Sequence, residues 1–304
     1  MILSNRITTF GQHLLKRHHK RVHKIALDVG FTCPNRDGSK GYGGCTFCNN
    51  ASFSPDTGSG IDLNGQIAKA RISINRRTGA KHFLAYFQAY TNTYADVSLL
   101  ESLYREALMH PDIVGISVGT RPDCVPHSVL ELLDTLRQEG WEVWLELGLQ
   151  SAFDETLARV NRGHGFHEYK ETVLAARSRG IPVCTHLIIG LPGEKEEHYH
   201  KTLDKVLELG VDGLKLHPLH VVKNTVLAYQ WKRGEYSPLS LEDYIKISAD
   251  MIERTPEEII FHRVTATASD DILLAPKWCS KKWIVLNGIE QELRRRGSRQ
   301  GCRA

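Results

Sequence analysis

Six short apolar runs, each separated from the next by a stretch long enough for a helix, constrain the fold of this 304-residue chain more than any other feature. They lie at 24–29, 82–87, 113–118, 141–147, 181–189 and 212–217, and helical periodicity fills 96–109, 126–139, 168–179 and 195–209. Gly140, Gly180 and Gly210 follow three of those helices, where a left-handed residue commonly ends a helix. Such alternation predicts right-handed βαβ units around a parallel sheet. Six units predict an α/β fold, a partial (β/α)6 TIM-like barrel, with an open doubly wound sheet as the alternative. Past residue 220 the pattern loosens into a helix over 240–253, a strand over 258–265 and a last helix over 281–296. The expected organisation is a basic N-terminal segment at 1–23, a core barrel at 24–220 and a C-terminal α/β extension at 221–304.

The strands carry more information when split by parity. Outer-face residues of a barrel strand pack on helices, so the apolar set fixes the orientation. Phe83, Ala85 and Phe87 form one such set, followed by Val114, Ile116 and Val118, then Leu145, Leu147 and Leu149, and finally Leu214 and Leu216. The inner face then receives Gln88, Ser117, Glu146, Gln150, His186 (with Cys184 and Ile188), Lys215 and His217. Buried parallel strands usually read as continuous apolar runs, and barrel active sites sit at the C-terminal rim. Polar side chains recurring inward on five strands therefore predict a site. Glu146, Lys215 and His217 are candidates for substrate contact or proton transfer, and a buried Glu146–Lys215 ion pair is the structural alternative.

Cys33, Cys45 and Cys48 sit on one glycine-rich loop directly after the first strand. Three thiolates can hold an iron–sulfur cluster with one iron left open. A structural zinc would need a fourth ligand, sought among His13, His18, His19 and His23, and a plain electron-transfer cluster would want a fourth cysteine. The remaining four, Cys124, Cys184, Cys279 and Cys302, are scattered and read as small core residues or a tail thiol. Seven cysteines in a chain of this length argue against a disulfide framework. No run of about 18 apolar residues is present, so no membrane span is expected. With no signal-peptide pattern at the N-terminus, the expected location is cytoplasmic.

Charge is unevenly spread. Residues 16–24 carry +5 and residues 277–303 carry +6, against +4 for the whole chain, which leaves an acidic body at −7. Basic ends on an acidic body suggest a polyanion such as RNA, with Arg294, Arg295, Arg296 and Arg299 as phosphate contacts, or else simply solvated surface segments.

The triad ending Cys45-Thr46-Phe47-Cys48, with Phe47 beside the last cysteine, resembles the radical S-adenosylmethionine (SAM) superfamily. The resemblance continues through Tyr86-Phe87-Gln88-Ala89-Tyr90-Thr91-Asn92-Thr93-Tyr94, Gly119-Thr120-Arg121-Pro122-Asp123, Glu146-Leu147-Gly148-Leu149-Gln150-Ser151, Asn161-Arg162-Gly163-His164 and Gly190-Leu191-Pro192-Gly193. These motifs are similar to the branch holding the Elongator catalytic subunit and oxygen-independent coproporphyrinogen oxidase. Over nearly the whole chain they resemble the YhcC-like radical SAM family. The superfamily's usual cysteine spacing is three residues then two, whereas here it is eleven then two.

The resemblance implies a radical SAM barrel, a 4Fe–4S cluster on Cys33, Cys45 and Cys48, and SAM on the open iron. It also implies cleavage of SAM to methionine and a 5′-deoxyadenosyl radical that abstracts a substrate hydrogen, with an external flavodoxin- or ferredoxin-like electron donor. Phe47, Gln150 and Arg162 become SAM-binding candidates, and Arg162 suits a carboxylate. Gln88 stands in the region where the superfamily has Gly-Gly-Glu against the SAM amine. Ser117 and His186 fall where the branch places acidic contacts, which leaves them a neutral hydrogen-bonding role. Gly190 and Gly193 would let the backbone approach the adenosine. No acetyltransferase domain like that of the Elongator subunit is expected. The substrate reading is an RNA, with tRNA modification implied by the Elongator-like motifs. A small metabolite, or a zinc-binding interaction protein, is the alternative.

Overall fold

A computed structural model describes residues 3–49 and 62–304. In chain order the elements are α1 (Phe10–His18), β1 (Val22–Leu27), α2 (Leu63–Thr78), β2 (His82–Phe87), α3 (Val97–Leu108), β3 (Ile113–Thr120), α4 (His127–Gln138) and β4 (Glu142–Gln150). They continue with α5 (Asp154–Arg159), α6 (Phe166–Arg177), β5 (Val183–Ile189), α7 (Glu196–Glu208), β6 (Gly213–Pro218) and the short β7 (Val221–Val222). The chain closes with α8 (Val226–Lys232), α9 (Leu241–Arg254), β8 (Ile260–Arg263), β9 (Leu273–Ala275) and α10 (Lys282–Arg295). All six expected strands form, paired in parallel in sequence order. A seventh, β8, adds to β6 from beyond residue 220, so the extension completes the barrel sheet. The sheet curls until its two edge strands meet: Lys24 Nζ on β1 lies 3.3 Å from His262 Nδ1 on β8. The result is a partial barrel, not the doubly wound alternative.

The main core lies between the sheet and the helices and takes the outward residues expected from parity, among them Phe83, Phe87, Ile116, Val118, Leu145, Leu149 and Leu214. Val114 is the exception. It packs with the inner cluster around Leu84 and Trp144 because β3 gains one residue against β2 between Phe83 and Leu84. Such a bulge turns the extra side chain to the other face.

The segment before residue 24 is not a loose basic arm. Thr9 and Gln12 form a capping box, Lys16, Arg17 and His18 sit in the last turn where the helix dipole favours cations, and His19 ends α1 at φ +55°. Phe10 and Leu14 of α1 then fill the N-terminal end of the barrel with Val22, Leu84, Trp144, Cys184 and Ile260. Phe10 stacks on His262 at 3.8 Å between ring centroids and meets Trp144 edge-on at 5.3 Å. Arg17 and His18 both reach the buried carboxylate of Glu142, which also accepts from Trp144 Nε1 at 2.7 Å.

The C-terminal arginines are likewise engaged. Arg296 pairs with Asp250, Glu253 and Glu292, Arg295 with Glu292, Arg299 with Glu257, and Arg303 with Glu253. Part of the charge at both ends is therefore paired within the chain, in exposed pairs at Arg295 and Arg299 and on the buried carboxylate of Glu142. Among the described residues no helix is long and apolar enough to cross a membrane.

Because α1 is the floor of the barrel, Phe10→Ala should cost about 3 kcal/mol or more of unfolding free energy, the usual penalty for deleting a buried phenyl ring. Denaturant unfolding measures this directly, and a loss below about 1 kcal/mol would mean that α1 is not seated there.

Candidate active site

The strands end in a cavity of about 650 Å³ at the C-terminal rim of the barrel. Cys33, Cys45 and Cys48 line it, together with Phe47, Gln88, Gln150, Arg162, His186, Lys215 and His217. Most of the residues picked by parity and motif thus face one space.

The cysteine loop is built to be rigid despite its eleven intervening residues. A bridge between Asp37 and Tyr42 folds it into a small hairpin, tied by Lys40 N to Pro34 O at 2.8 Å and Gly44 N to Asn35 O at 2.8 Å. Gly44 has φ +81°, and a Cβ there would press on the Arg36 side chain at 3.1 Å, so only glycine fits without displacement. The Cys45–Cys48 turn is closed by Cys48 N to Cys45 O at 2.9 Å. It is docked through Thr46, whose N–H donates to Val160 O at 3.0 Å and whose carbonyl accepts from Leu227 N at 2.8 Å. Phe47 packs on the cluster of Val160, Leu191, Leu219 and Leu227.

Cationic and amide donors aim at the sulfurs. Arg162 Nη1 lies 3.5 Å from Cys45 Sγ, Arg121 Nη1 lies 4.0 Å from Cys33 Sγ, and Asn35 Nδ2 lies 3.9 Å from Cys45 Sγ. Arg121 is itself held by Asp123 at 2.9 and 3.0 Å and donates to Arg162 O at 2.8 Å. Burial, reinforced by the neighbouring Cys45, pushes the Cys48 thiol up to about 11, so a bound cation would favour its thiolate. Three cysteines on one rigid loop, facing a cavity and flanked by guanidinium groups, suit an iron–sulfur cluster. The other cysteines match their sequence reading: Cys124, Cys184 and Cys279 are buried and Cys302 is exposed.

Deeper in the barrel, Glu146 is fully buried and gripped from five strands. Lys24 and Lys215 both contact its carboxylate, Ser117 donates its hydroxyl to it, His186 Nε2 lies 2.7 Å from Oε2 and His262 Nδ1 lies 3.6 Å from Oε1. Burial works to raise this carboxyl, but the Lys215 and Lys24 ammonium groups and the histidine bonds hold it well below the ordinary range. The pair expected as the structural alternative exists, as part of a larger network. The Tyr86 hydroxyl accepts from Lys215 Nζ at 2.9 Å, and the Tyr86 ring lies under both ammonium groups at 4.3 and 4.6 Å. Burial pulls Lys215 down to about 7 and His186 down to about 4, while His217 falls well below its usual value. His186 and His217 stack at 5.7 Å, and His217 Nε2 is buried with no hydrogen-bond partner among the described residues.

The structure sets Ser117, Gly190 and Gly193 apart from the cavity. Ser117 does not line the cavity; it lies beneath it, fully buried, with its hydroxyl committed to Glu146. Gly190 and Gly193 face a separate small cleft with Pro192, Tyr199, Tyr236 and Leu239. Their φ values of +102° and +82° explain the glycines as turn residues. Sequence reasoning missed Lys24, Tyr86, Arg121 and His262. Parity would have found Lys24, which alternates with Ile25, and Tyr86, which alternates with Ala85 and Phe87. Arg121 lay in a motif quoted without a role. His262 had no signal, because its strand was not assigned to the barrel.

The fold and this site define a partial barrel with a three-cysteine centre at its C-terminal rim, and comparison with known proteins identifies it. Residues 30–206 match the radical SAM superfamily model, and residues 211–295 match the radical SAM C-terminal domain. The chain is 48% identical over 297 residues to protein YhcC of Escherichia coli strain K12, covering 98% of this chain and 95% of that one. It is 32% identical over 157 residues to a tRNA uridine(34) acetyltransferase of Dehalococcoides mccartyi, covering 50% of this chain and 33% of that protein. Among solved structures it resembles archaeal Methanocaldococcus infernus Elp3, with a TM-score of 0.68 at 18% identity over 92% of this chain and 64% of that one. The chain belongs to the radical SAM superfamily, in its YhcC-like family, and is an enzyme whose cofactors are a 4Fe–4S cluster and SAM.

The site makes a pH signature. The folded state gives up the Lys215 proton near pH 7, whereas the unfolded chain keeps it until about 10.5. Between those values the unfolded state binds more protons, so this group's contribution raises stability as pH rises through the window and is flat below it. Denaturant unfolding at pH 7.5 and 9.5 should show wild type gaining stability relative to Lys215→Met. Parallel pH profiles would refute a depressed Lys215.

Proposed function

We propose that this radical SAM enzyme modifies an RNA, with tRNA the class its relatives favour, and that Cys33, Cys45 and Cys48 hold its cluster. One observation carries the substrate reading. Among the described residues lining the cavity there is no Asp or Glu, while Arg36, Arg162, Arg263 and Lys282 line it with no carboxylate partner among the described residues. A concave site lined with one sign of charge concentrates ligands of the other sign, and RNA brings a phosphate with every nucleotide. The relative over half the chain that carries tRNA in its name supports the same choice.

When bound, the cluster and SAM supply hydrogen-atom abstraction through a 5′-deoxyadenosyl radical. The chain's own groups bind, orient and shield. Arg162, buried and with Nε unpartnered among the described residues, is suited to a carboxylate of SAM. Gln150, at φ +80° after the β4 bulge, and Gln88 at the end of β2 offer amides to the same ligand. Phe47 gives an apolar surface beside the cysteines. His186 is held neutral by burial, and Glu146 fixes its ring. Lys215, with a proton it can hold or release near neutral pH, and His217 both line the cavity where the substrate would sit. Ser117 positions Glu146. Reducing equivalents come from an external donor of the flavodoxin or ferredoxin kind.

Anaerobic reconstitution with iron and sulfide, reduction with dithionite and addition of SAM should give 5′-deoxyadenosine from wild type. Cys45→Ala should give none and lose the cluster's visible absorption. Formation by Cys45→Ala at the wild-type rate would remove the cysteine assignment, and zinc bound in place of iron would favour an interaction protein instead.

A further inference from the structure

The positive lining of the cavity is not uniform in its partners. Lys24 and Lys215 spend their charge on Glu146, and Arg121 spends its charge on Asp123. Arg263, the last residue of β8, and Lys282, the first residue of α10, pair with no carboxylate among the described residues, yet both line the cavity and both are exposed to it. Lys282 is pushed down first by burial and then by the charges of Arg263 and Arg77.

A second cost sits in the same place. The residue that caps α10 is Lys281, which makes no side-chain cap bond, and the first turn holds no acid. Two lysines at a helix N-terminus oppose the dipole, whose positive end favours anions. Like charges crowded at a helix start are unfavourable unless an anion completes them.

We infer that Arg263 and Lys282 form a phosphate subsite that seats a phosphate group of the substrate against the β8–α10 wall of the cavity. This rests on the reading of an anionic substrate and adds where its charge is held. Arg263 supplies a fork of donors and Lys282 a point charge, a pair that matches the oxygens of a phosphate.

Isothermal titration of the anaerobic holoenzyme with inorganic phosphate, and separately with tRNA, tests this. Wild type should bind both, and phosphate should compete with tRNA. Arg263→Gln and Lys282→Gln should each weaken phosphate binding about tenfold, since each removes a charge-assisted contact. Arg263→Lys should recover part of the loss, and Arg295→Gln, on the outer surface, should bind as wild type does. Both glutamine variants replace exposed, unpaired side chains, and unchanged thermal unfolding confirms that they fold. Phosphate and tRNA affinities unaltered in both glutamine variants would overturn the subsite while leaving the anionic-substrate reading intact. Weakened phosphate binding with unaltered tRNA binding would keep the subsite, overturn the RNA reading and make a small phosphorylated compound the source. Failure of wild type to bind either would overturn both.

Discussion

A single carboxylate closes this barrel. Glu146 lies where no water can solvate it, and the penalty for an unpaired buried charge is several kcal/mol. Meeting it requires donors from β1, β3, β5, β6 and β8, which are Lys24, Ser117, His186, Lys215 and His262. Lys24 and His262 belong to the two edge strands, which are not hydrogen-bonded to each other as a ladder. Their shared acceptor does for the curl of the sheet what backbone pairing does in a closed barrel. The same demand explains the excess of positive charge: two ammonium groups serve one carboxylate, and the one further from solvent, Lys215, yields its proton readily.

The inner face of β4 repeats this logic along its length. Glu142, Trp144 and Glu146 alternate inward, and the two acids organise opposite ends of the barrel. Glu142 gathers Arg17, His18 and Trp144 and so fixes α1 beneath the sheet, while Phe10 of the same helix seals the gap between β1 and β8. Glu146 faces the cofactor side. Arg17 and Lys24 of the N-terminal basic stretch are consequently tied into the barrel, and a further set of cations lines the cavity wall.

Much of the architecture was legible because helical and extended periodicities differ so plainly along this chain. The six strands, the inward positions of Glu146, His186, Lys215 and His217, and the cysteine loop all followed from pattern and motif. Three kinds of information were not. Val114 was misassigned because a bulge shifts parity without any mark in composition. Helix α1 and the seventh strand were missed as barrel parts because each is seated partly by the far end of the chain, as in the Phe261 N to Thr8 O bond at 2.8 Å. Basic ends looked free because the acids that neutralise them, such as Asp250 and Glu253 for Arg296, sit on another helix. Local sequence reports charge, and only the fold reports whether that charge is spent.

What remains unspent has a consequence for the chemistry of Lys215. Its low pKa arises first from burial, and the field of Arg263 adds to the effect of Lys24. An anion seated against Arg263 would cancel part of that field and lift Lys215 back toward its charged form, just as a nearby opposite charge favours ionisation of any amine. Proton affinity at the floor of the cavity and anion binding at its wall are therefore linked, and linkage of this kind is reciprocal. A substrate carrying phosphate would thus enter a site that holds its proton more tightly once the substrate is in place. A neutral substrate would leave Lys215 near its midpoint at neutral pH, with its charge set by solvent conditions rather than by binding.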